Sequence, residues 1–185
     1  MVDKILSIVK SKHENIEVKC VYQTGSSLFC GNCKDYDYVV VCDNVKFLRS
    51  CTKVKGLNID IFCIPLKGEQ EAQLTYHSLA TALAFKNGFL YGEYPFEDYD
   101  YDKCKPQVLK QSYDFLSNRL LPLYRRKGVC DKRAVWLFAV YFTCINNSLD
   151  FTDEQKELLQ KCHDYELLVS YAEELKVNIE KLLNE

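Results

Sequence analysis

Hydrophobic and polar positions follow two different rhythms along the chain. Within residues 3–17, Ile5, Leu6, Val9 and Ile16 recur near helical spacing, which predicts an amphipathic helix. Residues 17–24 (EVKCVYQT) are rich in β-formers and predict a strand. Gly25-Ser26-Ser27 then marks a turn and a helix start. Residues 36–42 (YDYVVVC) predict a strong strand, residues 45–51 a short helix, and residues 57–64 (LNIDIFCI) a further strand stopped by Pro65. A helix over 69–86 closes at Asn87-Gly88, and a short strand, FLYG, follows.

After residue 92 the rhythm changes. Residues 92–107 (GEYPFEDYDYDKCKPQ) hold two of the four prolines and a cluster of acids, and predict a linker. Beyond them the spacing is helical throughout, over about 106–126, 131–147, 153–162 and 164–183. Thr152, just before DEQKELL, has the chemistry of an N-cap. No internal repeat is visible. This order predicts an α/β (α+β) protein, with a mixed β-sheet domain over 1–95 followed by a C-terminal helical bundle over 96–185.

Composition narrows the setting. The chain has 185 residues, 48% hydrophobic and 27% charged, the balance of a globular protein. Its formal net charge of −2 supplies no global basic field for nucleic acid, so any such binding needs a local patch. Ten cysteines are many for a reduced compartment but too few for a disulfide scaffold. The N-terminal apolar run, Ile5 to Val9, is bracketed by Lys4 and Lys10 and lacks the pattern of a signal peptide. The longest apolar run, Ala134 to Ile145, is shorter than the roughly 20 residues that span a bilayer. The expectation is a cytoplasmic protein, without membrane contact, whose thiols are mostly free and buried.

Three features of the first half belong together chemically. Gly25-Ser26 follows a strand directly; glycine permits close backbone approach, and a helix start offers N–H groups to an anion. Asp35 and Asp37 are two residues apart at the start of the YDYVVVC strand, so they project to the same face. Asp60 lies inside the apolar strand LNIDIF, where an acid is costly unless it is paired or binds a cation. With the two strands adjacent, three carboxylates converge. Such hard oxygen donors suit Mg²⁺ (or Mn²⁺), and two such ions roughly 4 Å apart clamp the attacking and leaving oxygens of a phosphoryl or nucleotidyl transfer. The acids Asp98, Asp100 and Asp102 also alternate, but no Gly-Ser precedes them and no apolar strand follows; they read as a solvated linker.

Other features carry less. Cys30-Gly31-Asn32-Cys33 has the spacing of half a zinc site, but no second CxxC or CxxH exists and His13, His77 and His163 are scattered. The two thiols read as ordinary members of the loop between the Gly-Ser turn and the acids. Arg119, Arg125, Arg126, Lys127, Lys132 and Arg133 form the one basic segment, either a charged helix end or a polyphosphate-facing wall across a cleft. Trp136, Phe138, Tyr141 and Phe142 read as bundle core, and His77 as structural.

The run TGSSLFCGNCKDYDYVVVCD, with NIDIF downstream, resembles the DNA polymerase β-like nucleotidyltransferase superfamily. That signature is Gly-Ser, a spacer, Asp-x-Asp running into an apolar strand, then a third acid on a later strand. The resemblance implies that Asp35 and Asp37 bind both metals, and that Asp60 binds the catalytic one and helps to deprotonate the acceptor hydroxyl. It implies that Gly25 and Ser26, with Ser27 beside them, contact the triphosphate. Gly31 stands where small members often carry a second glycine, and Lys34, where they usually carry Ser, is a further candidate for phosphate. Lys132 and Arg133 are the candidates from the helical half, which resembles, more weakly, the tail of phage-type members; there a Lys is followed one turn later by His, where this chain has Trp136.

The expected activity is therefore Mg²⁺-dependent transfer of an NMP from an NTP to an acceptor hydroxyl, with release of pyrophosphate. The acceptor is an RNA or DNA end, a protein side chain or a small molecule. The competing expectation is a non-catalytic, antitoxin-like module of the same fold that holds a protein partner.

Overall fold

A computed structural model describes residues 1–13, 15–30, 35–43, 50–54, 56–66, 76–93, 100–129, 131, 133–161 and 164–184. Five strands form one mixed sheet: β1 (Glu17–Thr24), β2 (Tyr36–Asp43), β3 (Ser50–Val54), β4 (Ile59–Pro65) and β5 (Phe89–Gly92). Their order is β3-β4-β2-β1-β5. The pair β2–β4 is parallel and the other three pairs are antiparallel.

Alternation sorts the two faces of this sheet. Val40, Cys42, Ile59, Ile61 and Cys63 are buried on one face against Ile5 and Val9 of α1 (Val2–Lys12). Val39, Val41, Tyr22, Cys20 and Ile64 are buried on the other with Ala84 of α2 (Tyr76–Gly88). Both faces are therefore covered, which is why β2 reads as an almost unbroken apolar run rather than a polar–apolar alternation.

The helical half packs onto the second face. It consists of α3 (Tyr101–Phe115), a π-helical segment (Leu116–Leu120), α4 (Leu121–Lys127), α5 (Arg133–Asn146), α6 (Asp153–Gln160) and α7 (Tyr165–Asn184). Helix α5 is its centre: from Ala134 to Cys144 every position but Trp136 is buried. A helix apolar all round must lie inside. The same apolar cluster takes in Cys30 and, from α2, Leu79, Ala80 and Leu83, so it is continuous with the sheet half. Thr152 caps α6 in a reciprocal capping box with Gln155. No helix among the described residues is long and apolar enough to cross a membrane.

Three expectations about elements are corrected. The short helix predicted over 45–51 does not extend to Ser50 and Cys51, which begin strand β3; residues 44–49 lie outside the described set. The first helix stops at Lys12 because His13 is extended and Asn15 takes a positive φ, and Ile16 instead packs beside the sheet. The predicted linker ends early: Asp100 caps α3, its Oδ1 accepting from the backbone N–H groups of Asp102 (3.0 Å) and Lys103 (3.2 Å). Asp102 thus belongs to a helix N-terminus, where its charge suits the macrodipole, and Pro106 sits within that helix. Asp98 lies outside the described residues.

Candidate active site

The candidate residues gather where β1 ends and β2 and β4 begin, beside α2 and α5. Strand register explains why. Thr24 pairs with Asp37, Asp37 with Asp60, and Asp60 with Lys53. Register partners on neighbouring strands share a face. Thr24, Asp37, Asp60 and Lys53 therefore form one row across four strands, on the same side of the sheet as Val39 and Ile64.

Gly25 closes one end of this row. Its φ of 79° and ψ of −170° lie in a region that only glycine occupies comfortably. A Cβ built on Gly25 would come 3.0 Å from Asp37 Oδ2, so the backbone of the turn lies directly against that carboxylate. The turn then tightens into the short 3-10 segment Ser26–Leu28, with Leu28 N–H donating to Gly25 O (3.2 Å) and Cys30 N–H to Ser26 O (3.0 Å). Ser27 is engaged within the turn: its hydroxyl donates to Thr24 O (3.2 Å) and accepts from Gln23 Nε2 (3.0 Å).

Electrostatics mark Asp37 as the focus. Burial raises its carboxyl above the ordinary carboxylate range, and the negative charges of Asp35 and Asp60 push the same way; Lys53 opposes them. Asp60 is half-buried and its Oδ2 lies 3.2 Å from the Lys53 ammonium, which is itself 78% exposed. The Asp60 contact is the largest cause that raises the pKa of Lys53. Asp35 is exposed just before β2 begins. Among the described residues, no three His, Cys, Asp or Glu side chains gather closely enough to hold a metal ion. Asp37 and Asp60 are register partners, but the Asp60 carboxylate already has a cation.

A cleft of about 700 Å³ opens beside Asp37. Gly25, Ser26 and Asp37 line it on the sheet side, and Arg133 and Trp136 from α5 line it opposite; Asp35 and Asp60 are not part of this lining. Tyr22, Val39, Phe62 and Ile64 give it an apolar floor. Arg133 is held in place: its Nε and Nη2 donate to the two carboxylate oxygens of Asp131, at 3.0 and 2.8 Å. Arg119 Nε donates to the same Asp131, at 2.8 Å. Arg125 points elsewhere, to Glu173 of α7.

No protein-family model matches the chain, and no curated protein matches it. Among solved structures, the chain is similar to a nucleotidyltransferase-like protein from Exiguobacterium sibiricum 255-15, at 13% identity. The match covers 100% of this chain and 75% of that one, with a TM-score of 0.32. A likeness that distant carries no argument about activity. The chemistry of the residues has to carry it.

Measured against the sequence expectations, Gly25, Ser26, Asp37 and Arg133 meet at one cleft, with Asp60 next in the row and Asp35 exposed just before β2. Lys34 and Lys132, like Gly31 and Cys33, lie outside the described residues. Trp136 departs from its expected place in the bundle core: it faces the cleft and stacks on Phe29 (centroids 6.2 Å apart, planes at 27°), whereas Phe138, Tyr141 and Phe142 are buried as expected. Lys53 is the functional candidate that sequence reading missed. The sequence pattern assigns no element to residues 52–56, whereas the exposed, buried, exposed succession of Cys51, Thr52 and Lys53 is that of a strand.

Proposed function

We propose that this chain is a divalent-metal-dependent nucleotidyltransferase that moves an NMP from an NTP to an acceptor hydroxyl and releases pyrophosphate. One observation carries the reading. Asp37 and Asp60 oppose each other on adjacent parallel strands, with the Gly25 backbone against Asp37 at the edge of a cleft.

The donor chemistry suits a metal, with Asp37 and Asp60 the two carboxylates that strand register brings together. The donors are all carboxylate oxygens, the hard ligands that Mg²⁺ and Mn²⁺ prefer. Burial first, and then the charges of Asp35 and Asp60, disfavour the Asp37 carboxylate, and bound positive charge would favour it. Asp35, Asp37 and Asp60 would hold the ions, which neutralise the charge that builds up on the phosphate oxygens. The protein's own work is positioning and electrostatics. Gly25 and Ser26 let the polyphosphate approach the backbone. Arg133, braced by Asp131, faces them across the cleft as a fixed cation. Asp60, once released from Lys53, would take the acceptor's proton. The apolar floor and Trp136 exclude water and offer a flat surface to a base.

The acceptor is an RNA or DNA end, a protein hydroxyl or a small molecule. The test uses each α-labelled NTP with Mg²⁺, alone and with total RNA or host lysate. Label transfer is expected for the intact protein and not for an Asp35→Asn, Asp37→Asn double variant. Transfer that survives in the double variant sinks the metal assignment. No transfer with any acceptor, together with no Mg²⁺-dependent thermal shift from any NTP, favours the non-catalytic binding module instead.

A further inference from the structure

The row Thr24, Asp37, Asp60, Lys53 ends in a cation that no part of the transfer reaction, as described, uses. We propose that Lys53 is a built-in competitor for the divalent ion: its ammonium occupies Asp60, and the ion must displace it to complete the carboxylate site. This rests on the reading of Asp35, Asp37 and Asp60 as metal ligands.

Three observations point this way. The Lys53 ammonium lies 3.2 Å from Asp60 Oδ2, at the distance of an ion pair. The pairing is fixed by backbone register, not by a chance of side-chain reach, because Lys53 and Asp60 are cross-strand partners. The side chain is 78% exposed, so it can swing into solvent without leaving a cavity or a buried unpaired charge.

An exposed ion pair of this kind contributes little to stability. A buried one would be expensive to open. Lys53 is thus placed to be exchanged. In the metal-free protein it sets a positive charge beside Asp60 and, one strand further, Asp37, which would otherwise repel each other unopposed. As an ion arrives, the lysine loses its partner and then faces a divalent charge across the row. Both effects weaken metal binding relative to a chain without the lysine. The site would therefore fill only when the cation, or a cation already carried by a triphosphate, is abundant enough to win.

The experiment measures Mn²⁺ alone, without nucleotide, by calorimetry and by the paramagnetic signal of free Mn²⁺, at low ionic strength. The proteins are the intact chain, Lys53→Met, Lys53→Arg and Asp37→Asn. Losing the pair to be broken and the repulsion across several ångströms of water corresponds to about five- to thirtyfold tighter Mn²⁺ binding in Lys53→Met. Lys53→Arg, which keeps the charge, should stay within about threefold of the intact chain. The gap between Lys53→Met and the intact chain should narrow in high salt. Unchanged or weaker binding in Lys53→Met overturns the proposal while leaving the metal site standing. Binding in Asp37→Asn equal to that of the intact chain, or no binding in any of the four, overturns the metal reading itself. Melting curves without metal check that Lys53→Met is folded, which its exposure at the sheet edge leads one to expect.

Discussion

Gly25→Ala is the most informative single change, because two separate costs meet at one backbone position. The first is conformational. With φ at 79° and ψ at −170°, Gly25 occupies a region nearly closed to residues with a Cβ, and holding alanine there costs on the order of 1–3 kcal/mol. The usual entropic benefit of replacing glycine does not apply, since it requires a native conformation that alanine can adopt. The second cost is local. The new Cβ would lie 3.0 Å from Asp37 Oδ2, so the carboxylate must give way by a few tenths of an ångström or the turn must shift. For a chain of 185 residues, the first cost alone lowers the melting temperature by about 2–12 °C.

Gly56→Ala is the matched control. Gly56 also has a positive φ, 86°, but a Cβ there would meet nothing within 4 Å. It carries backbone strain without touching the row of acids. Thermal unfolding of both variants, with and without Mn²⁺, separates the two costs. Both should melt below the intact chain, and Gly25→Ala alone should lose most of its Mn²⁺-dependent rise in melting temperature. If Gly25→Ala melts with the intact chain, the backbone reasoning is wrong. If Gly56→Ala loses the Mn²⁺ response equally, proximity to Asp37 is not what glycine provides.

Other outcomes follow from the same geometry. Asp37→Asn should raise metal-free stability at neutral pH: a raised folded-state carboxyl binds its proton more tightly than the unfolded chain does, so the intact protein loses stability as pH climbs out of the ordinary carboxylate range. The advantage of Asn should therefore shrink as pH falls toward about 4, which denaturant titrations at pH 7 and pH 4 can check. Gly92→Ala should be far more harmful than Gly25→Ala, because its Cβ would overlap Lys19 O across the β1–β5 pair; yield of folded protein and the melting temperature report this. Native alkylation followed by mass spectrometry should label Cys51 well before Cys20 and Cys42, which are buried with thiols pushed up to about 12.

Most of what positions the site could be read from local pattern. Strands β1 and β2 are dense in β-branched and aromatic residues, both faces of β2 are buried, and the Gly-Ser turn separates them, so sequence periodicity and the Asp-x-Asp at the start of β2 told one story. Asp60 was legible for a different reason. A lone acid in an apolar strand contradicts its surroundings, and such contradictions mark functional positions. Trp136 was illegible because helix α5 is apolar all round. Spacing along such a helix does not say which one of its large side chains looks out through a gap between two layers.

Lys53 was hidden by a more general limit. Its meaning lies in the β3–β4 register, and register is a property of two strands at once. Nothing within SCTKV points to Asp60; an exposed lysine on an edge strand is ordinarily a guard against edge-to-edge pairing. Only when β3 is laid against β4 does Lys53 fall opposite Asp60 and, one strand further, Asp37. The same pairing makes the two roles compatible, since a lysine at the sheet edge can guard the edge and still reach a carboxylate on the neighbouring strand. Asp37 and Asp60 are then better described together with Lys53, as a charged row of three, than as a metal site awaiting an ion. In such a row the affinity for the ion depends as much on the residue that opposes binding as on those that favour it.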